Sequence, residues 1–389
     1  METRKYEDRD IEALSRAASL AFGGSVEDWK EYYDPGKSPS MNLEGVFVIE
    51  DDGEARASAT VLPLEAFVDG EAFPMDGVAA VFAHPAYRRR GYAGELMRTL
   101  LSDMRGRGVH LSMLWPFNHS FYRAHGYELA GESIRYKLNP RELETSDEQR
   151  NVRAFRDGDL PGLISVFEEG AAWHQLCVKR KRKVWEKIPE RKEWNLAVHE
   201  REGSVEGYIL FRMVDGDEEK RSVKILNLVA ATNEARAGIL SFLAAYDPMD
   251  YVITYDAPRG APLHPYLASS HVEMKIETEF MLRLVDVEGA LGHLRREAKS
   301  PLVLEVSDYG IPENNGEYTV GSGKAYRGNG AKHRVRLDVR RLAQLYAGYL
   351  PARKLAEHGM IRPDSEKALE LLEEYFPVGD PWVYPTDHF

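Results

Sequence analysis

The residues best placed to do chemistry lie between Val78 and Leu101, where the chain reads VAAVFAHPAYRRRGYAGELMRTLL. An apolar, strand-like run ending at Ala83 meets His84-Pro85, and the basic turn Arg88-Arg89-Arg90-Gly91-Tyr92-Ala93 follows. Leu96, Met97, Leu100 and Leu101 then recur at helical spacing. A helix opening on such a turn offers unpaired N–H groups, the positive end of its dipole and flanking guanidiniums, all of which favour a phosphate. Gly91 lets the backbone approach that phosphate, and a side chain there should obstruct it. The pattern Arg88-x-x-Gly91-x-Ala93 is neither a Walker A loop nor a dinucleotide fingerprint, whose further glycines, and the Walker lysine, are absent. The competing reading is an ordinary helix with a solvated basic first turn.

Other reactive side chains read more simply. Cys177 is the only cysteine, so no intrachain disulfide and no cysteine-rich metal site is expected. Gln175, Leu176 and Val178 around it carry no nucleophile signature, and it reads as a small core residue. His84, His110 and His125 lack metal-ligand spacing, so no metal is expected. The run Lys179-Arg180-Lys181-Arg182-Lys183 has no interleaved stacking aromatics, which favours a solvated helix face over a nucleic-acid site. Gly321-Ser-Gly323 and Gly328-Asn-Gly330 read as hairpin turns.

The elements around these residues repeat. A chain of 389 residues exceeds one ordinary core, and two or three domains are expected. Residues 7–22 read as an amphipathic helix capped by Asp10; 46–50 and 55–62 read as strands joined at Asp51-Asp52-Gly53, with another hairpin at Asp69-Gly70. After the basic turn come a strand over 111–115, a helix over 118–125 ended by Gly126-Tyr127, and a closing strand over 134–138. Charge-rich ELETSDEQR, residues 142–150, reads as a linker. Arg156-Asp157-Gly158-Asp159-Leu160 then restarts the plan that Asp8-Arg9-Asp10-Ile11 began. Strands at 194–199, 207–214 and 223–229 lead to a helix over 234–246 with no basic glycine turn before it. Near Glu279 the character changes: a strand and helix over 280–294, hairpins up to Val339, and a helix over 365–376.

The Arg88-x-x-Gly91-x-Ala93 turn and the order of elements around it resemble the acyl-CoA pyrophosphate loop and complete domain of the GNAT acetyltransferases. The second unit is similar to a GNAT domain without its own acyl-CoA site. Leu284-Val-Asp-Val287 and Leu342-x-x-Leu345-Tyr346-x-Gly348-Tyr349 resemble a sterol-carrier-like domain. With Phe121-Tyr122-Arg123-x-His125-Gly126-Tyr127 and the ending Asp387-His388-Phe389, the whole chain resembles the Eis (enhanced intracellular survival) family. It departs from that family at His388, where some members carry an acidic residue. The expected fold is α/β (α+β), with a GNAT acetyl-CoA domain over 1–141, a degenerate GNAT-like domain over 142–279 and a sterol-carrier-like domain over 280–389.

The resemblance implies an acyltransferase that moves acetyl from acetyl-CoA directly to a primary amine. The amine must lose a proton, the carbonyl must be oriented, and the departing thiolate must gain a proton. The backbone of Val81 and Ala83 would pair with the pantetheine arm and hold the thioester oxygen. Arg88, Arg89, Gly91, Tyr92 and Ala93 would take the pyrophosphate, and Asn118 would bond the cofactor or cap its helix. Tyr122 stands where GNAT domains place the tyrosine beside the CoA sulfur. In the Eis family the terminal α-carboxylate assists amine deprotonation, a role that falls here to Phe389. Its intrinsic pKa of roughly 3.5 keeps it ionised, and burial raises its basicity. The preceding PWVYPTD is aromatic and proline-rich, suited to dock rather than fray.

Carboxylates outnumber Lys plus Arg by 63 to 51, a net charge of −12 that repels nucleic acid and biases an acidic cleft toward amines. Trp29, Glu31, Phe82 and Trp115, with nearby acids, are expected to line a pocket for a polycationic acceptor such as an aminoglycoside or a lysine side chain. The competing function is a lipid- or sterol-binding carrier with a vestigial GNAT portion, against which the intact turn and Tyr122 both speak. A homo-hexamer is implied by the resemblance alone. The first residues are charged where a signal peptide needs an apolar core, and no apolar run approaches membrane-spanning length, so a cytoplasmic protein without a membrane span is expected.

Overall fold

The computed structural model describes residues 1–38, 40–215, 221–246, 251–268 and 272–389. The fold is mixed α/β, built on three sheets. The strands of the first two are, in chain order, β1 (Glu2–Lys5), β2 (Val46–Asp51), β3 (Glu54–Val68), β4 (Glu71–Ala83), β5 (Leu111–Leu114), β6 (Glu128–Leu129) and β7 (Glu132–Leu138). They continue with β8 (Val152–Ala154), β9 (Asn195–Arg201), β10 (Ser204–Asp215), β11 (Arg221–Ala230), β12 (Tyr251–Pro258), β13 (Glu273–Thr278) and β14 (Met281–Leu284). The first sheet runs β1-β2-β3-β4-β5-β14-β6 and the second β8-β9-β10-β11-β12-β7-β13, so the two have one plan.

The repeat is also written in side chains. Arg4 grips the Asp10 carboxylate at 2.7 and 2.8 Å, and Arg153 grips Asp159 at the same distances. Each arginine also reaches a glutamate on its neighbouring strand, Glu50 and Glu200. Asp10 therefore spends its carboxylate on Arg4 and the Glu7 N–H, not on capping α1 (Ile11–Phe22) as expected. Three hairpins turn on consecutive positive φ values, Asp52-Gly53, Asp69-Gly70 and Glu202-Gly203, the twist that matches paired strands.

Two strands lie elsewhere than their sequence positions suggest. Residues 134–138, expected to close the first sheet, form part of β7, which pairs with β12 and β13 of the second. In exchange β14, expected to open the third unit, sits between β5 and β6 of the first, all four of its side chains buried. The units thus trade their penultimate strands. Residues 142–150 are no free linker either: Leu143 is buried, and the Ser146 N–H donates to Ser241 Oγ at 3.0 Å.

After α1 the helices are α2 (Val26–Tyr32), α3 (Tyr92–Gly106), α4 (His119–Arg123), α5 (Leu160–Ala172), α6 (Arg182–Lys187) and α7 (Asn233–Ala244). Leu96, Met97, Leu100, Leu101 and Met104 of α3 are buried with Ile49, Ala59, Val61, Val78 and Val81 of the first sheet. Each such side chain is worth about 1.5–3 kcal/mol, which fixes the start of α3 against the end of β4. The third sheet, β15 (Glu297–Ser307), β16 (Gly316–Ser322), β17 (Tyr326–Arg327), β18 (His333–Asp338) and β19 (Arg362–Pro363), carries α8 (Val287–His293), α9 (Val339–Tyr346), α10 (Ala352–Glu357) and α11 (Glu366–Tyr375). Arg341 of α9 pairs with buried Glu128 at 2.7 Å, and Arg283 of β14 pairs with Asp308 at 2.6 Å, both fully buried, tying this unit to the first.

Candidate active site

The site opens where β4 and β5 part. These parallel strands pair only at Asp76–Ser112 and Gly77–Met113, while β4 stays bonded to β3 as far as Ala83. From Val78 to Ala83 the edge of β4 that faces β5 therefore has no strand partner among the described residues. At Ala80 the chain takes φ +47°, inside a bulge between the Thr60–Ala79 and Ser58–Phe82 pairs. Such a bulge re-aims backbone groups, here into the gap. Val81 and Ala83 lie on this edge as expected; Ala80 was missed, because alanine carries no signal for a positive φ.

At the far end of the edge is the basic turn. Arg88, Arg89, Arg90 and Gly91 are exposed, and α3 begins at Tyr92 with no side chain capping it. The first backbone bond from α3 to the turn runs from the Glu95 N–H to Gly91 O, so the N–H groups of Tyr92, Ala93 and Gly94 have no protein acceptor among the described residues. A Cβ on Gly91 would meet nothing within 4 Å, so its requirement is the backbone φ of +85° rather than crowding by protein. An open cradle of free N–H groups with three guanidiniums beside it fits a pyrophosphate. Tyr92 serves it only through its N–H, because its side chain is buried and donates to Asp51 Oδ2 at 2.5 Å. Arg90 stacks over Tyr87. In the second unit the matching helix, α7, is capped instead by Thr232, whose hydroxyl accepts from the Ala235 N–H.

Tyr122 is 2 % exposed on α4, enclosed by Phe117, Phe121 and Tyr127 at centroid distances of 5.2, 5.0 and 6.1 Å. Burial, and then the neighbouring Tyr127 phenol, push its pKa well above the usual range, so it stays protonated through neutral and alkaline pH. Asn118 caps α4, its Oδ1 accepting from the Phe121 N–H at 3.0 Å. Gly126 answers a packing need: a Cβ there would lie 2.7 Å from Cζ of buried Arg283.

The chain's last residues bridge all three units. Trp382, Val383 and Tyr384 are buried. Arg180, 5 % exposed, donates to Asp387 at 2.7 and 2.9 Å, to Thr386 at 2.7 Å and to Asn227 at 2.9 Å, and lies over the Phe167 and Trp185 rings. The expectation of a solvated face for residues 179–183 is thus wrong at Arg180, which precedes α6 and points inward. β11 and β12 part after Ile225, as β4 and β5 do after Gly77, and Asn227, just beyond that point, bonds Thr386 at 3.1 Å. In the second unit the tail occupies the place that the first unit leaves open.

The tail ends in the first unit. Phe389 packs on Gly77, where a Cβ would fall 2.5 Å from the ring, and meets Trp115 edge-on at 4.8 Å. Trp115 also faces His388 at 4.4 Å. Of the expected acceptor residues only Trp115 reaches the tail. Trp29 packs against Phe22 and Tyr32, and buried Phe82 against Phe22, both in a separate cluster around α1 and α2. Beside Phe389 is a cleft of about 310 Å³ whose aromatic walls are Tyr32 and Trp194. Its charged lining is basic rather than acidic as expected, with Asp387 the one carboxylate side chain there among the described residues.

Comparison with known proteins agrees with this geometry. Residues 2–130 and 176–284 each match a family model described as an acetyltransferase (GNAT) domain, and residues 287–384 match a sterol carrier protein domain. This chain is a GNAT acyltransferase. Uncharacterized N-acetyltransferases of Streptomyces avermitilis and Streptomyces coelicolor are 25% and 26% identical to it, aligned over 85% and 93% of this chain and 86% and 93% of theirs. Among solved structures, a GCN5-related N-acetyltransferase from Anabaena variabilis shares the fold over 100% of both chains, with a TM-score of 0.88 at 23% identity. An Eis protein of Mycobacterium abscessus does so with a TM-score of 0.81 at 23% identity, again over 100% of both chains. Among the described residues of the acyltransferase no group of three or more His, Cys, Asp or Glu stands ready to hold a metal ion, and no helix is long and apolar enough to cross a membrane.

Proposed function

We propose that this acyltransferase is an Eis-type, acetyl-CoA-dependent N-acetyltransferase that acylates a primary amine directly. The observation that carries the reading is the seat of Phe389 on Gly77, where β4 and β5 part, beside the edge that a pantetheine arm would join. Arg88, Arg89, Gly91 and the N–H groups of Tyr92 and Ala93 hold the pyrophosphate, with Asn118 free to add its side-chain N–H. The backbone of Val81 and Ala83 pairs with the pantetheine arm. The α-carboxylate of Phe389 takes the proton from the amine, whose nitrogen attacks the thioester carbon. The C–S bond breaks and the thiolate receives its proton from Tyr122. A phenol that stays protonated is the right donor, since a thiolate leaving inside the same aromatic enclosure also gains basicity by desolvation.

The carrier alternative is not favoured. In the third unit Leu302, Leu304, Val320, Val335 and Leu337 are buried together with Leu342, Leu345, Leu371 and Leu372, a core packed by its own helices. A cytoplasmic, hexameric enzyme completes the reading, tested by fractionation and light scattering. The deciding experiment is CoA release from acetyl-CoA, by thiol detection, on a panel of amines, with the chain as it stands and with residues added after Phe389. Turnover that the extension abolishes supports the reading. Equal activity of the extended chain removes the carboxylate, and absence of acetyl-CoA binding removes the enzyme.

A further inference from the structure

The acceptor cleft is charged against the chain's own bias. The protein is net acidic by 12 charges, yet Lys37, Lys179, Lys181, Lys187 and Arg191 all line the cleft beside Phe389. The one lining carboxylate side chain among the described residues, Asp387, is engaged by Arg180. Lys37, Lys187 and Arg191 are offset by Glu31, Glu190 and Glu193, so among the described residues the uncompensated cations of the cleft are Lys179 and Lys181. Lys181 donates to the Pro63 carbonyl, and half-buried Lys179 has no ion-pair partner among the described residues.

An adjoining hollow of about 400 Å³ supplies a second, independent observation. It shares Trp194, Thr386 and His388 with the cleft. There Arg212 of β10 stands directly opposite Lys224 of β11, a like-charge cross-strand pair that costs stability unless something anionic lies between. Neither has a carboxylate partner among the described residues, and Arg212 Nε is buried without an acceptor. The acids of this hollow are otherwise engaged. Asp256 is held by Arg135 at 2.7 and 3.2 Å, and Glu279 accepts from Ser133 while burial favours its neutral form.

We infer that the amine acceptor of this enzyme carries an anionic group, a carboxylate or a phosphate, which Arg212, Lys224 and Lys179 receive while the amine faces Phe389. The inference rests on the N-acetyltransferase reading and reverses the acceptor charge expected from sequence.

The test uses matched pairs differing only in the anion: propylamine against β-alanine for carboxylate, and ethanolamine against phosphoethanolamine for phosphate. CoA release and calorimetric binding are measured on the full chain at fixed ionic strength, for the wild type, Arg212→Gln and Lys179→Gln. At least one anionic member should bind and turn over about tenfold better than its partner, and the pair that responds names the anion. Either variant should raise KM for the anionic member by about tenfold while the acetyl-CoA affinity holds. Equal or reversed preference in both pairs overturns the inference, as does a variant that weakens acetyl-CoA instead, which would make the basic lining part of the donor site. If acetyl-CoA fails to bind, the acetyltransferase reading falls, and the calorimetric preference still decides the anion site. Anionic binding without turnover upholds the site, and no binding by either anionic member sinks it.

Discussion

Gly77→Ala addresses the seat of the terminal residue without touching the basic turn or the Arg180 anchor. A Cβ at position 77 would lie 2.5 and 2.7 Å from the Phe389 ring and 2.9 Å from Leu64 Cδ1. Ordinary carbon contacts are about 3.5–4.0 Å, so the ring must withdraw by about 1 Å. Overpacking of this kind costs about 1–3 kcal/mol, and here it falls on a single residue that can move away. The carboxylate moves with the ring, and a misplacement of about 1 Å in a reacting group lowers kcat by roughly 100-fold. The assay is steady-state CoA release at saturating acetyl-CoA, with acetyl-CoA affinity measured alongside and expected to hold, and Tm expected to fall by only a few degrees. Phe389→Ala removes the ring, so Gly77→Ala added to it should cost almost nothing further, a coupling that a general defect would not produce. A Gly77→Ala enzyme with wild-type kcat, or one equally impaired with and without the Phe389 ring, would refute the placement of the base.

Three further outcomes are expected. Tyr122→Phe should lower kcat by about 100-fold or more and leave the acetyl-CoA Kd unchanged; unchanged turnover excludes the phenol as the proton donor. Asp387→Asn leaves the Arg180 guanidinium buried without its counter-ion, a loss of about 3–5 kcal/mol. It should make the last residues susceptible to carboxypeptidase before the core melts, and a tail as resistant as the wild type counts against the anchor. Burial raises the Glu279 carboxyl above its ordinary 4.5, so the folded state keeps a proton that the unfolded chain gives up. Its contribution to stability is therefore present below about pH 4.5 and is lost as pH rises through the raised pKa. Glu279→Gln should gain in Tm over the wild type as pH rises from 5 to 8, and a pH-independent difference in Tm would contradict that sign.

The basic glycine turn and the helix after it were legible because their signals are local: a glycine where φ must be positive, arginines beside it and an apolar stripe at helical spacing after it. The tandem plan was legible for the same reason, since Asp10 and Asp159 open their units through bonds that span only six residues to Arg4 and Arg153. Gly77 did carry a signal, a glycine inside a strand marking close approach of another group, although not of which one. The exchange of β7 and β14 was invisible. Alternation along a strand reports which face is buried, but a strand's neighbours are chosen by contacts far along the chain. Arg180 is the sharper case. In a run of five basic residues it looks solvated, and only Asp387, 207 positions away, makes its burial affordable. The charge of the cleft beside Phe389 was likewise undecided by a net charge of −12. Composition sums over the whole surface, whereas a cleft takes its sign from the few side chains that folding gathers from the loop after α2, the segment around α6, the sheets and the tail.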